Sequence, residues 1–186
     1  MNREDRSLLI LGGSGTLGGP LCALALSRGW RVVATYLTHP DRVRAGQPVQ
    51  LDLRDQTALR HVVQTFQPAA IIHAAVTERS GPGYEDAIRQ GARHVAQVAA
   101  EQQTRLITLS TDLVFDGSEP LYTEATPPRP AILSPYGQAK ADAERDSLEI
   151  YPAALVVRTS LIYDFDPLNA QVAWMLRAID GGSTIT

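Results

Sequence analysis

The chain has 186 residues, 44% of them apolar and 20% charged, and a net charge of −3. That length allows one domain with a sizeable core, or one domain and part of a second. The arginines are scattered along the sequence, which argues against a nucleic-acid or membrane-surface partner, since both need clustered positive charge. Cys22 is the single cysteine, so a disulfide framework or cysteine metal cluster within the chain is excluded, no metal site is expected, and the residue reads as a small buried hydrophobe on a helix face.

Residues 1–7 are polar and the apolar run 8–11 is far too short for a signal-peptide core or a membrane span, so a cytoplasmic location is expected. That run, Leu8-Leu9-Ile10-Leu11, ends at glycine and predicts a strand buried on both faces. Leu17, Leu21, Leu24 and Ala25 then recur at helical spacing over 16–28, up to Gly29. Strands are expected over 31–35 and 49–51, and Asp55 opens a helix that carries Leu59, Val62, Val63 and Phe66 and ends before Pro68. A strand over 69–73, a long helix over 84–103 and a strand over 106–109 follow. The proline- and glycine-rich stretch 116–135 reads as a loop, succeeded by a helix holding Tyr136 and Lys140 and by a strand over 154–157. Residues 172–179 look like the start of another helix, and 181–186 trail away without a closing element.

Strands alternating with helices at this interval imply an α/β fold, a doubly wound parallel sheet of the Rossmann type, in which ligands bind outside the carboxyl ends of the strands. Residues 1–165 are read as a dinucleotide-binding domain and 166–186 as the start of a C-terminal substrate-binding region whose remainder is expected to be missing.

Gly12-Gly13-Ser14-Gly15-Thr16-Leu17-Gly18 links the first strand to the first helix. Glycines at 12, 15 and 18 suit a tight turn, close backbone approach to a pyrophosphate, and helix-on-strand packing, and the helix N-terminus offers free amides to the anion. No acidic residue follows the second strand until Asp41, whereas Thr35, His39, Arg42 and Arg44 could accommodate a 2′-phosphate, which favours NADPH over NADH. Asp52 and Leu53 follow the third strand, where an adenine would sit, although Asp52 serves equally well as a helix cap. Ala74 and Ala75 end the next strand with small residues that would admit a cofactor to the backbone, or would serve core packing.

Lys140 is the one lysine among seventeen lysines and arginines. It stands four residues after Tyr136, so a helix puts phenol and amine on one face. A compact ammonium reaches a phenol or a ribose hydroxyl where a guanidinium fork does not. Thr111, after the 106–109 strand, projects a hydroxyl toward the same crevice, so that a carbonyl between Thr111 and Tyr136 could accept from both and take a proton from the phenol.

In the order Gly12 loop, Asp52-Leu53, His73-Ala74-Ala75, Ser110-Thr111-Asp112-Leu113-Val114-Phe115-Asp116-Gly117, Tyr136-Gly137-Gln138-Ala139-Lys140 and Arg158-Thr159-Ser160-Leu161-Ile162-Tyr163, the chain resembles the extended short-chain dehydrogenase/reductase superfamily. Within its nucleotide-sugar branch it is most similar to dTDP-4-dehydrorhamnose reductases. The resemblance implies an NADPH-preferring reductase of a 4-keto nucleotide-sugar, with NADH as second choice. Tyr136 would be proton donor, Lys140 would hold the nicotinamide ribose and favour the phenolate, Thr111 would polarise the carbonyl, and Asp112 would position the sugar. A homodimer is compatible with it. An epimerase or dehydratase that holds NAD, and a non-catalytic NADP-binding subunit like the regulatory subunit of methionine adenosyltransferase, remain alternatives. The chain departs from the superfamily in having asparagine only at positions 2 and 169, so the asparagine of a proton relay is absent or replaced, and in placing Leu161 where a tryptophan is frequent.

Overall fold

The short apolar runs of the sequence become six parallel strands in the computed structural model, which describes residues 6–76, 81–162 and 170–181. In chain order these are β1 (Ser7–Leu11), α1 (Gly18–Ser27), β2 (Arg31–Tyr36), β3 (Gln47–Gln50), α2 (Gln56–Phe66), β4 (Ala70–His73), α3 (Tyr84–Glu101), β5 (Arg105–Thr111), α4 (Pro135–Ile150), β6 (Leu155–Thr159) and α5 (Ala170–Asp180). The sheet order is β3-β2-β1-β4-β5-β6. The order reverses direction between β1 and β4, the place where a doubly wound sheet opens a crevice for ligand. Every pairing is parallel, as right-handed crossovers through helices require.

Alternation along the strands sorts the side chains into two layers. Leu9, Leu11, Ile71 and Leu106 point to one face and pack with Leu59 and Val63 of α2 and Val95 and Val98 of α3. Ile10, Val32 and Ala34 point to the other, where Cys22 of α1 is fully buried against them. The covering is therefore unequal: α1 lies on one face, and α2 and α3 on the other, with α4 joined to α3 through Ile88, Ala92, Ala139 and Ala143. A physical reason is the β2–β3 connection, which carries only a single 3-10 turn at Pro40–Arg42 where a crossover helix would usually stand.

Helix boundaries follow local chemistry. The Asp55 carboxylate accepts from the Ala58 N–H and caps α2. That helix closes at Gln67 in the left-handed region, immediately before Pro68. Ser134 caps α4 by accepting from Gly137 N–H, and Pro135 occupies the first helical position. Pro48 falls within β3, which among the described residues pairs with β2 alone, the place in a sheet where a residue without an N–H is tolerated. β5 is longer than the apolar run suggests and reaches Thr111, which lies opposite Thr159 of β6. The proposed division at 165/166, Tyr163 and the stretch 182–186 lie outside the described residues.

Candidate active site

Two ends of one crevice are built by different parts of the chain. At the β1 end, Gly12 has φ +84 and presses so closely on the segment after β4 that a Cβ there would meet the Ala75 Cα at 2.6 Å. Gly15 N–H donates to the Gly12 carbonyl (2.9 Å) and Gly19 N–H to the Gly15 carbonyl (3.0 Å), coiling the loop into α1. Gly13 rests on Ala34, and a Cβ on Gly18 would land on the Gly12 carbonyl oxygen. α1 begins at a Leu17 cap with no side-chain hydrogen bond and no acid in its first turn. With the Gly15 and Gly19 N–H groups taken inside the loop, the amides left to face a pyrophosphate at this helix start are those of Thr16 and Leu17, which border the crevice.

Thr35 is 2% exposed and its hydroxyl accepts from Gly12 N–H at 3.0 Å. The residue borders the crevice, but this bond makes it a brace of the glycine loop as well as a candidate cofactor contact. His39, Arg42 and Arg44 are exposed and do not border the crevice; Arg54 does. Its guanidinium pairs with Asp52 (2.6 Å), and this hydrogen bonding pulls the Asp52 carboxyl below its usual range. Leu53 lies beside Gly91, and its carbonyl meets His94 Nδ1 at 2.9 Å.

At the β5 end, Gly137 of α4 lets the helix close onto the turn after Thr111, because a Cβ there would collide with the Leu113 carbonyl oxygen. Tyr136, Thr111 and Asp112 then line the same cleft. Thr111 accepts from Leu113 N–H and lies 3.2 Å from Asp112 Oδ1. Lys140, one helical turn beyond Tyr136, is 8% exposed and donates from Nζ to the Leu109 carbonyl at 2.6 Å. His73 Nδ1 lies 3.4 Å from the Thr108 hydroxyl. Burial first, and the nearby Lys140 charge second, push the His73 imidazole down to about 3, so it stands neutral beside the ammonium.

A cleft of about 750 Å³ joins the two ends. Of the residues singled out in the sequence for cofactor, substrate or chemistry, Gly13, Gly18, His39, Arg42 and Arg44 do not border it and the remainder line it. Sequence reasoning overlooked the Arg54 partner of Asp52 and the Glu144–Arg158 pair described below. The signal for Glu144 was present, since it stands one turn past Lys140. Arg158 needed the β5–β6 register.

The model of the RmlD substrate binding domain matches residues 6–186. The chain belongs to that family. Among curated relatives, methionine adenosyltransferase 2 subunit beta of Rattus norvegicus is 33% identical over 171 residues, covering 88% of this chain and 49% of the relative. A dTDP-4-keto-6-deoxy-D-glucose reductase of Streptomyces niveus is 32% identical over 169 residues, covering 87% and 54%. The dTDP-4-dehydrorhamnose reductase of Bacillus anthracis, solved in complex with NADP, superposes with a TM-score of 0.70 at 28% identity, covering 88% of this chain and 56% of that one. This RmlD-type chain therefore spans about half the length of the relatives it matches. Among the described residues no helix is long and apolar enough to cross a membrane.

Proposed function

We propose that this chain carries the dinucleotide and catalytic half of an NADPH-preferring reductase of 4-keto nucleotide-sugars, with dTDP-4-dehydro-6-deoxy-L-mannose as the specific substrate. The observation that supports this reading most is that a single cleft holds an anion-ready helix end over the glycine loop and, at its other end, Thr111, Tyr136 and Lys140. Residues 1–165 form the dinucleotide-binding unit in this reading, and 166–186 open the substrate-binding region. A nicotinamide bound in this cleft would supply the hydride. Thr111 and Tyr136 hold the substrate carbonyl by hydrogen bonds, and the Tyr136 phenol delivers the proton to its oxygen. Lys140 holds ribose hydroxyls and steadies the phenolate left behind, while Asp112 orients the sugar. Thr16 and Leu17 present amides to the pyrophosphate, and Gly12 and Gly15, whose own N–H groups are held inside the loop, shape the turn that lets it approach. Asp52 and Leu53 border the adenine, and Ala74 and Ala75 admit the cofactor to the backbone.

NADPH is preferred to NADH on two grounds. No carboxylate follows β2 until Asp41, and Arg54 places a guanidinium on the cleft wall beside Asp52. A relative at 28% identity was also solved with NADP bound.

The test is NADPH consumption by the purified full-length protein with the 4-keto sugar nucleotide, which should be abolished in Tyr136→Phe. Tight cofactor binding without turnover would defeat the reductase reading. The 33% identity to methionine adenosyltransferase 2 subunit beta favours, as a second reading, a non-catalytic NADP-binding subunit. Such a subunit would alter the kinetics of a methionine adenosyltransferase partner, and Tyr136→Phe would leave that effect intact.

A further inference from the structure

Tyr136, Lys140 and Glu144 follow one another at four-residue spacing on α4 and so share a face. Lys140 and Glu144 are both buried, 8% and 3% exposed, and both border the cleft. A buried carboxylate one turn from a buried ammonium is a natural trap for it, because low local dielectric strengthens the attraction. Yet Glu144 is held elsewhere. Arg158 Nε donates to both carboxylate oxygens at 3.1 and 3.2 Å, and Nη2 donates to Oε2 at 2.8 Å. Pairing of Arg158 with Ser110 in the β5–β6 register turns its side chain to the sheet face covered by α4.

We propose that Arg158 is a positioning residue for Lys140: by occupying both oxygens of Glu144, it keeps that carboxylate away from the ammonium that serves the cofactor. The proposal rests on the reading of Lys140 given under Proposed function and adds two residues to it. Arg158 is itself fixed on two further sides. Nη1 donates to the Thr126 carbonyl at 3.3 Å, and the guanidinium lies 5.0 Å from the centre of the Phe115 ring, which stacks on Tyr122. A planar fork that binds bidentately suits this task, and a lysine would not reproduce it.

The other charges around α4 follow the same pattern. Asp142 is taken by Arg89 and Arg145, and Asp146 by Arg93 and Arg145. From β4, His73 faces Lys140 as a buried neutral ring. The three acids that follow Lys140 within six residues are thus each assigned an arginine, in a chain that spends every other basic position on arginine.

Because Lys140 is the one lysine of the sequence, selective 13Cε labelling of lysine in the whole chain yields a single titratable NMR signal. In Arg158→Gln, Glu144 turns to the ammonium. The Lys140 titration midpoint should then rise by about 1, and the NADPH dissociation constant should increase about tenfold. Arg158→Gln/Glu144→Gln removes the competing carboxylate and should return both to wild-type values. An unchanged midpoint in Arg158→Gln overturns the proposal. Should Arg158→Gln fail to fold with its stranded carboxylate, the neutral double variant decides alone. A wild-type midpoint there supports the guard, and a lowered one shows Glu144 to be the counter-ion of Lys140 and refutes it. Failure of the wild-type protein to bind NADPH would defeat the proposed function, whereas the lysine titration would still decide the role of Arg158.

Discussion

Gly18 and Gly19 stand side by side at the start of α1, and the structure assigns opposite outcomes to the same substitution at each. A methyl on Gly18 meets the Gly12 carbonyl oxygen, with the Gly12 carbonyl carbon at 2.8 Å and the Gly13 Cα at 2.9 Å. All three are backbone atoms, so no side-chain rotation can relieve the contact and the loop must open. Overpacking of this kind costs about 1–3 kcal/mol. A methyl on Gly19 meets only the Gly13 carbonyl oxygen at 3.6 Å, an ordinary contact, and helix propensity then stabilises Gly19→Ala by about 0.5–1 kcal/mol. The two variants should differ by about 1.5–4 kcal/mol. At a urea slope of about 2 kcal/mol/M this separates their unfolding midpoints by about 1–2 M, read by circular dichroism. NADPH titration should show Gly18→Ala weakened and Gly19→Ala close to wild type. Superimposable unfolding curves for the two variants would refute the packing argument for the loop.

Thr35→Val keeps the shape of the side chain but strands the Gly12 N–H, so folding stability should fall by about 1–3 kcal/mol in chemical denaturation, with Thr35→Ser retaining most of it. His73 sets an acid limit. Its folded value of about 3 lies below the unfolded value near 6.5, so the unfolded chain binds a proton that the folded one does not, and stability present above about pH 6.5 is lost as pH falls toward 3. The slope contributed is up to about 1.4 kcal/mol per pH unit, and His73→Leu should flatten the stability profile between pH 6.5 and 5. Lys140→Arg preserves the charge but must bury a wider head at a site 8% exposed. NADPH affinity should drop about tenfold or more by fluorescence titration, and undiminished affinity would show that compactness is irrelevant there.

β1, β4 and β5 were legible because each carries a run of apolar or β-branched residues with much of it buried, whereas β3 runs Gln47-Pro48-Val49-Gln50, is mostly exposed, and begins two residues before the expected 49–51. The Gly12 loop was legible because it sits between such a run and a helical repeat. The proximity of Tyr136 and Lys140 followed from helical spacing alone. The bond from Gly12 to Thr35 was not legible, since it spans 23 residues and depends on the β1–β2 register. Arg42 and Arg44 looked suited to a phosphate and Arg54 was passed over, because only the path of the 37–46 connection separates the first two from the cleft. Arg158 could be quoted as part of a motif, but its grip on Glu144 depends on which face of β6 meets α4.

Pro48 gives the sheet a direction. On the β3 side the last strand is four residues long, carries exposed Gln47 and Gln50, and lacks one N–H at Pro48. A further strand would find a broken ladder of donors there, which discourages edge-to-edge aggregation. On the β6 side, Leu155–Thr159 is proline-free and includes a 48% exposed Leu155. Among the described residues, β6 is thus the edge that leaves an unbroken ladder to a further strand, on the flank where Thr159 and Ser160 border the cleft.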